Sequence, residues 1–156
     1  MATTQDVRPQ RNPKLWAVVL AGGEGRRLLP LVRRVCGDER PKQYAPLLGT
    51  RSLLRATLDR TSSQVPSERT VVVTVASQRR LAESELTDEE RPSLLVQPED
   101  RGTAAAVMWA ARWIRAREPS AIVAIFPSDH YVADEALFMR HVGTVRVSWV
   151  AARRPR

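Results

Sequence analysis

The chain has 156 residues, enough for a single domain with one hydrophobic core. Its hydrophobic fraction of 43% and charged fraction of 27% are ordinary for a globular protein, and no apolar run reaches the roughly 18–20 residues of a membrane-spanning helix. The single cysteine excludes an internal disulfide framework, so the composition favours a cytoplasmic protein.

The formal net charge of +8 suggests a nucleic-acid partner as one hypothesis. The basic residues are nearly all arginines, however, and they are spread along the whole chain instead of forming one stripe. No zinc-ligand spacing accompanies them, and the aromatic residues are too few for a base-stacking surface. Charge alone supports only non-specific binding, so a nucleic-acid-binding module is the disfavoured alternative.

The first half of the chain predicts two buried strands. Residues 1–13 are polar without periodicity and are predicted to form a flexible tail. Residues 16–20 are continuously apolar and end at glycines, which is typical of a strand buried on both faces. After a long loop, residues 52–61 predict a helix with leucines on one face, and the β-branched residues 70–76 predict the second strand.

The second half continues the alternation of strands and helices. It predicts a short helix, a strand, a long helix, a strand and a weak helix at residues 78–86, 93–96, 103–117, 121–126 and 133–141. This order predicts an α/β fold, a Rossmann-like parallel sheet with helices on both faces. Ligands of such sheets bind beyond the carboxyl ends of the strands, so the loops at residues 21–30 and 127–130 are expected to meet at one site.

The loop at residues 20–31 reads LAGGEGRRLLPL. Its three closely spaced glycines allow positive φ angles and close approach to a ligand, and successive N–H groups in such a loop form an anion site. Arg26 and Arg27 add positive charge, and each guanidinium can hold phosphate oxygens through two hydrogen bonds. The spacing is neither that of a P-loop nor GxGxxG, and alone it also fits a plain tight turn.

Three further segments strengthen the interpretation: residues 40–44 (RPKQY), 97–104 (QPEDRGTA) and 127–130 (PSDH). Together with the glycine loop, they resemble in sequence and order the signature segments of the sugar-phosphate nucleotidyltransferases. The P-K-Q-aromatic and P-S-D-H segments are typical of the mannose-1-phosphate guanylyltransferase branch. The resemblance spans residues 15–142.

This resemblance implies that GMP passes from GTP to mannose 1-phosphate, giving GDP-mannose and pyrophosphate. Such a reaction needs positioning and charge neutralisation and no covalent nucleophile. By position, Arg27 and Lys42 match catalytic residues that face the phosphates, and Asp129 matches a ligand of the cofactor Mg²⁺. The positions that match nucleotide-binding residues are Leu20, Ala21, Gly22, Gly23, Gly25, Arg26, Gln97, Gly102 and Thr103.

Several of these residues have ordinary structural alternatives. Lys42 alone would be interpreted as a solvated lysine, Asp129 as part of an Asx turn, and His130 as a side chain that orders its loop. The sequence also departs from the family, since Arg26 stands where many members have Thr or Glu and Gly102 where Asn is frequent.

The end of the chain lacks the segments expected of the sugar-phosphate half. Family members continue with strands that hold the sugar phosphate and with a second aspartate for the metal. The sequence therefore predicts a nucleotide-binding half-domain at residues 14–142 and an irregular tail at residues 143–156. One sheet edge would be left uncovered, which favours dependence on a partner, self-association or aggregation.

Three functions stay open. The leading hypothesis is an incomplete mannose-1-phosphate guanylyltransferase with little or no turnover by itself. The alternatives are another sugar-1-phosphate nucleotidyltransferase that uses dTTP or UTP, and a non-catalytic fragment that binds nucleotide.

Overall fold

The computed structural model describes residues 14–86 and 92–152, with side chains up to residue 148. The strands are β1 (Leu15–Leu20), β2 (Thr70–Val75), β3 (Ser93–Gln97) and β4 (Ile122–Pro127). The helices are α1 (Leu29–Cys36), α2 (Leu53–Ser62), α3 (Arg79–Glu85), α4 (Gly102–Arg117) and α5 (Glu135–Ala152). Short 3-10 turns lie at Arg26–Leu28, Lys42–Tyr44, Ser67–Arg69 and Ala76–Gln78.

The four strands form one parallel sheet in the order β3-β2-β1-β4. At its carboxyl end, β1 pairs Leu20 with Val73 of β2 on one side and with Pro127 of β4 on the other. The chain moves outward from β1 through β2 to β3 and then returns to place β4 on the opposite side of β1. This reversal creates a crevice beyond the ends of β1 and β4, the place where open parallel sheets bind ligands.

The side chains of β1 alternate between two apolar layers. Ala17 and Val19 pack on one face of the sheet with residues of α2, α3 and α5. Trp16 and Val18 pack on the other face with residues of α4. Helices therefore cover both faces, which confirms the predicted α/β architecture and explains the apolar run at residues 16–20. Burial of a valine side chain such as that of Val18 or Val19 stabilises the fold by roughly 1.5–3 kcal/mol.

Helix α1 lies in the segment that the sequence pattern predicts to be a long loop. The helix has only eight residues and buries only Val32, so it is too short to be recognised from a repeat of apolar residues. Its two ends carry ordinary helix signals. Pro30 is in the first turn, where a missing N–H costs nothing, and Gly37 ends the helix in a left-handed conformation with φ of 77°.

Helix α5 corrects the prediction for the end of the chain. The expected helix at residues 133–141 extends to Ala152 as one helix, so the prediction of an irregular segment is wrong for residues 143–152. Val142 packs on the core, whereas Val145 and Val147 are 67% and 66% exposed. Apolar residues of α5 thus lie both on the core and in solvent, so no helical periodicity marks the extension of this helix.

Some predictions fall on residues outside the described ranges. The predicted tail at residues 1–13 and residues 153–156 lie there. Within the described ranges, no strand pairs with the outer edge of β4, and Ile125 in that strand is 45% exposed. In the same part of the chain, no helix is both long enough and apolar enough to cross a lipid bilayer.

Candidate functional site

A cleft of about 550 Å³ opens at the carboxyl end of the sheet, between the loops that follow β1 and β4. Eleven of the twelve site residues predicted from the sequence line it: Leu20, Gly22, Gly23, Gly25, Arg26, Arg27, Lys42, Gln97, Gly102, Thr103 and Asp129. The prediction that the two loops meet is thereby confirmed. Ala21 does not line the cleft, because its side chain is 1% exposed and packs in the core.

The glycines of the loop have different structural requirements. Gly25 has a φ of 63°, and a Cβ built there would lie 3.0 Å from the backbone nitrogen of Lys42. A Cβ on Gly22 would lie 3.3 Å from Cγ1 of Val75. Gly23 has ordinary φ and no atom within 4 Å of its built Cβ, so the fold by itself does not require glycine there.

The loop packs against two polar side chains, Gln43 and Gln78, that are not among the predicted site residues. Gln43 donates to the carbonyl oxygens of Ala21 and Gly23 at 3.0 and 2.7 Å, and Gln78 donates to the carbonyl oxygen of Gly22 at 3.2 Å. Gln43 is part of the PKQ segment, whereas Gln78 belongs to no quoted motif. Its only sequence signal is a polar residue shortly after a β-branched strand.

Lys42 and Asp129 form an ion pair at the mouth of the cleft, with Nζ 2.7 Å from Oδ2. Nδ1 of His130 lies 2.7 Å from the other carboxylate oxygen of Asp129. Partial burial raises the pKa of Asp129, but the hydrogen bond and charge of Lys42, with a smaller contribution from His130, outweigh it and place this pKa below its usual range. Asp129 is therefore ionised near neutral pH.

Ser128 places Asp129 at the cleft. Its side chain is buried and donates to the carbonyl oxygen of Leu20 at 2.6 Å, and its backbone N–H donates to the same oxygen at 3.3 Å. These bonds tie the end of β4 to the end of β1. The next residue is consequently held beside the glycine loop.

The two loop arginines differ in their partners. Arg26 is exposed and paired with Glu24, which raises the pKa of Arg26 further above its usual range. Arg27 is exposed and forms no ion pair with any residue of the described ranges. Arg27 is thus the freer of the two cations.

The far wall of the cleft comes from β3 and the start of α4. Gln97 ends β3 and is 8% exposed, and Thr103 is exposed in the first turn of α4. Gly102 has a φ of 80°, and its N–H donates to Oδ1 of Asp100 at 2.8 Å. Glycine is therefore favoured at this helix start by its conformation.

The described residues contain no group of three or more His, Cys, Asp or Glu side chains that could hold a metal ion. Asp129 offers one ionised carboxylate at the cleft. Mg²⁺ in phosphate-binding sites is commonly held by one or two carboxylates together with phosphate oxygens. The residues present therefore fit Mg²⁺ only in combination with a bound phosphate group.

Known proteins resemble this chain over the region that contains the cleft. A curated relative, xanthan biosynthesis protein XanB of Xanthomonas campestris pv. campestris, is 36% identical over 127 residues, which cover 80% of this chain and 26% of that protein. A mannose-1-phosphate guanylyltransferase of Escherichia coli K12 is 32% identical over 129 residues, covering 80% and 26%. The chain spans about a quarter of the length of these curated relatives.

Among solved structures, a Thermus thermophilus protein described as a mannose-1-phosphate geranyltransferase is 36% identical. It matches with a TM-score of 0.72, and the match covers 84% of this chain and 37% of that one. An inositol-1-phosphate CTP transferase of T. maritima, 23% identical with a TM-score of 0.54, shares the fold. Residues 16–144 match the nucleotidyl transferase family, so most of the chain is covered. The chain therefore belongs to the nucleotidyl transferase family.

Proposed function

We propose that this chain forms the nucleotide-binding part of a mannose-1-phosphate guanylyltransferase, which transfers GMP from GTP to mannose 1-phosphate. The observation that carries the proposal is the meeting of the glycine loop, Lys42 and Asp129 in one cleft at the crevice of the sheet. The names of several relatives support the choice of GTP and mannose 1-phosphate over other substrates.

In the proposed reaction, a phosphate oxygen of mannose 1-phosphate attacks the α-phosphorus of GTP. The bond from that phosphorus to the oxygen bridging to the β-phosphate breaks, and pyrophosphate leaves with the bond's electron pair. Arg27 and the N–H groups of the loop hold the triphosphate, and Lys42 faces the transferred phosphoryl group as a compact point charge. Gln97 and Gly102 contact the base and ribose.

Asp129 has two successive roles in this proposal. Without nucleotide it neutralises Lys42, which keeps two half-buried charges compensated. With nucleotide bound, Lys42 turns to the phosphates and the carboxylate becomes available to Mg²⁺ together with phosphate oxygens. When bound, Mg²⁺ would supply further neutralisation of charge on the phosphate groups.

Competition among GTP, dTTP, UTP and ATP for the cleft tests the nucleotide. We expect GTP to bind most tightly, in the presence of Mg²⁺. Tighter binding of dTTP or UTP would contradict the guanylyl assignment and support a different sugar-1-phosphate nucleotidyltransferase. Displacement of bound GTP by single-stranded DNA with a steep salt dependence would instead support the nucleic-acid alternative.

A second candidate is nucleotide binding without turnover by the chain alone. It is favoured by the lack, among the described residues, of a group of three or more His, Cys, Asp or Glu side chains that could hold a metal ion. Pyrophosphate release from GTP, mannose 1-phosphate and Mg²⁺ separates the two. Tight GTP binding without release supports the second candidate, and release at a steady rate supports transfer by this chain. Cytoplasmic location and self-association stay predictions from the sequence.

A further inference from the structure

Two buried glutamines pack against the carbonyl groups of the glycine loop, and of the two only Gln43 also lines the cleft. Gln43 and Gln78 are 2% and 5% exposed, and Nε2 of Gln43 lies 3.0 Å from Oε1 of Gln78, an acceptor that shares the two N–H groups of Gln43 with the loop carbonyls. Gln43 comes from the turn at Lys42–Tyr44, and Gln78 from the turn at Ala76–Gln78 that follows β2. Burial of an amide is costly unless it is hydrogen-bonded, so the partners of these amides indicate their role.

Their remaining partners are consecutive carbonyl groups of the loop. Gln43 donates to the carbonyl oxygens of Ala21 and Gly23 at 3.0 and 2.7 Å. Gln78 donates to those of Gly22 and Gly23 at 3.2 and 3.3 Å. Three carbonyls in a row thus point toward the same pair of amides.

This arrangement determines the direction of the N–H groups. In a planar trans peptide, the C=O of one residue and the N–H of the next point in opposite directions, and no cis peptide occurs in the described residues. The N–H groups of Gly22, Gly23 and Glu24 therefore point away from the glutamines. Among the described residues, no acceptor receives a bond from these three N–H groups. Successive outward N–H groups form an anion-binding concavity.

We propose that Gln43 and Gln78 are positioning residues, a glutamine clasp that holds the glycine loop in its phosphate-binding orientation. The inference rests on the proposed function, since the ligand is the triphosphate of the nucleotide. Gln78 does not line the cleft, and Gln43, which does, directs its Nε2 at the loop carbonyls. Both act through the loop, by keeping its carbonyl dipoles turned away from an anion and its N–H dipoles turned toward it.

Tyr44 supports the same orientation from the adjacent position. Its hydroxyl donates to the carbonyl oxygen of Ala21 at 2.8 Å and lies 3.0 Å from Oγ1 of Thr74. Burial raises the pKa of Tyr44 to about 12, so the hydroxyl keeps its proton at every pH at which the protein would be assayed. The first carbonyl of the loop consequently has two donors from one turn.

The test removes each amide separately. Gln78→Met and Gln43→Met keep similar side-chain volume and lose the donors to the loop. Thr61→Val is the matched control, because Thr61 is 1% exposed and its hydroxyl donates to the carbonyl oxygen of Leu58 at 2.9 Å, away from the loop. Each variant loses buried hydrogen bonding to backbone carbonyls, and only the glutamine variants lose it at the glycine loop.

The readout is NMR of protein labelled with ¹⁵N only at its 7 glycines, titrated first with inorganic tripolyphosphate and then with GTP. In the wild type, tripolyphosphate is expected to shift the signals of Gly22 and Gly23. In either glutamine variant, these two signals should move or broaden before any ligand is added, and the Kd for tripolyphosphate should rise about tenfold or more. Thr61→Val should behave as the wild type.

The outcomes separate the clasp from the proposed function. Unchanged Gly22 and Gly23 signals and unchanged Kd in both glutamine variants overturn the clasp, even when GTP binds well. An equal rise in Kd for Thr61→Val overturns it too, because the effect would then be general destabilisation. If one glutamine variant fails to fold, the other variant and the wild type provide the test. The clasp is overturned if tripolyphosphate does not shift the Gly22 and Gly23 signals of the wild type. If tripolyphosphate binding depends on the glutamines but GTP binds no more tightly than dTTP, UTP or ATP, the clasp is supported and the proposed function is contradicted.

Discussion

The two sides of the cleft are built from different kinds of interaction. On the β2 side, the glycine loop is held by neutral, buried amides and a hydroxyl. On the β4 side, the contact across the cleft is the ion pair of Lys42 and Asp129, whose side chains are 28% and 29% exposed. A buried donor or acceptor that loses its partner finds no water molecule in its place, so rearranging the hydrogen bonds on the β2 side is costly. A partly hydrated ion pair can exchange partners, which suits groups that meet phosphates and a cation.

Gly25→Ala should have the largest effect on the β2 side of the cleft, where the glycine loop is held. Alanine there meets both an unfavourable φ of 63° and the backbone nitrogen of Lys42 at 3.0 Å. We expect a loss of about 1–3 kcal/mol in the free energy of unfolding, measured by urea denaturation, together with loss of measurable GTP binding. The matched variant is Gly23→Ala, which should unfold within about 0.5 kcal/mol of the wild type. Equal destabilisation by the two variants would contradict the assigned strain.

Lys42→Met removes the ion pair on the β4 side and should affect ligand binding more than the free energy of unfolding. Loss of a charged donor to phosphate is expected to raise the Kd for GTP about 10- to 100-fold, measured by calorimetry. The chain's other lysine provides the control. Lys14 is 61% exposed, lies before β1 and pairs with Glu118 at 3.3 Å, so Lys14→Met removes the same charge far from the cleft. A similar rise in both variants would indicate a general effect of net charge.

The same ion pair predicts an acid-dependent part of the stability. The pKa of Asp129 is lower in the folded protein than in the unfolded chain, so its ionised form stabilises the fold above the unfolded value of about 4. This stabilisation should be lost as the pH falls through the lower folded value. Urea unfolding from about pH 6 to pH 3 should show a shallower fall for Asp129→Asn than for the wild type. Identical slopes would contradict the lowered pKa.

The smallest effect is expected at the open edge of β4. Ile125 is 45% exposed, so Ile125→Thr should change the free energy of unfolding by no more than about 0.5 kcal/mol. Val71 of β2 is 0% exposed, and Val71→Thr buries a hydroxyl, which should cost about 1–3 kcal/mol. If Ile125→Thr were as destabilising as Val71→Thr, the outer face of β4 would be covered in solution.

The elements recognised from the sequence are those with local patterns. Residues 16–20 are apolar throughout because β1 is buried by helices on both faces, and this pattern is present in the chain itself. Helix α1 has eight residues and buries one of them, which is too short a segment to recognise, and α5 exposes Val145 and Val147, which interrupts its periodicity. The pattern of apolar residues does not reveal a helix that packs few side chains against the core.

Sequence by itself determined the parallel α/β fold, the glycine loop and the convergence of two loops at one cleft. The reason is that the alternation of strands and helices along the chain and the spacing of the motifs can be read from the residues. The tertiary structure alone decided which groups touch across that cleft. Gln78 lies 35 residues from Gln43 and belongs to no motif, yet the two amides lie within hydrogen-bonding distance beside the loop. Hydrogen bonds and ion pairs depend on distances below about 3.5 Å between residues far apart in sequence, and only the packed sheet and its turns set those distances.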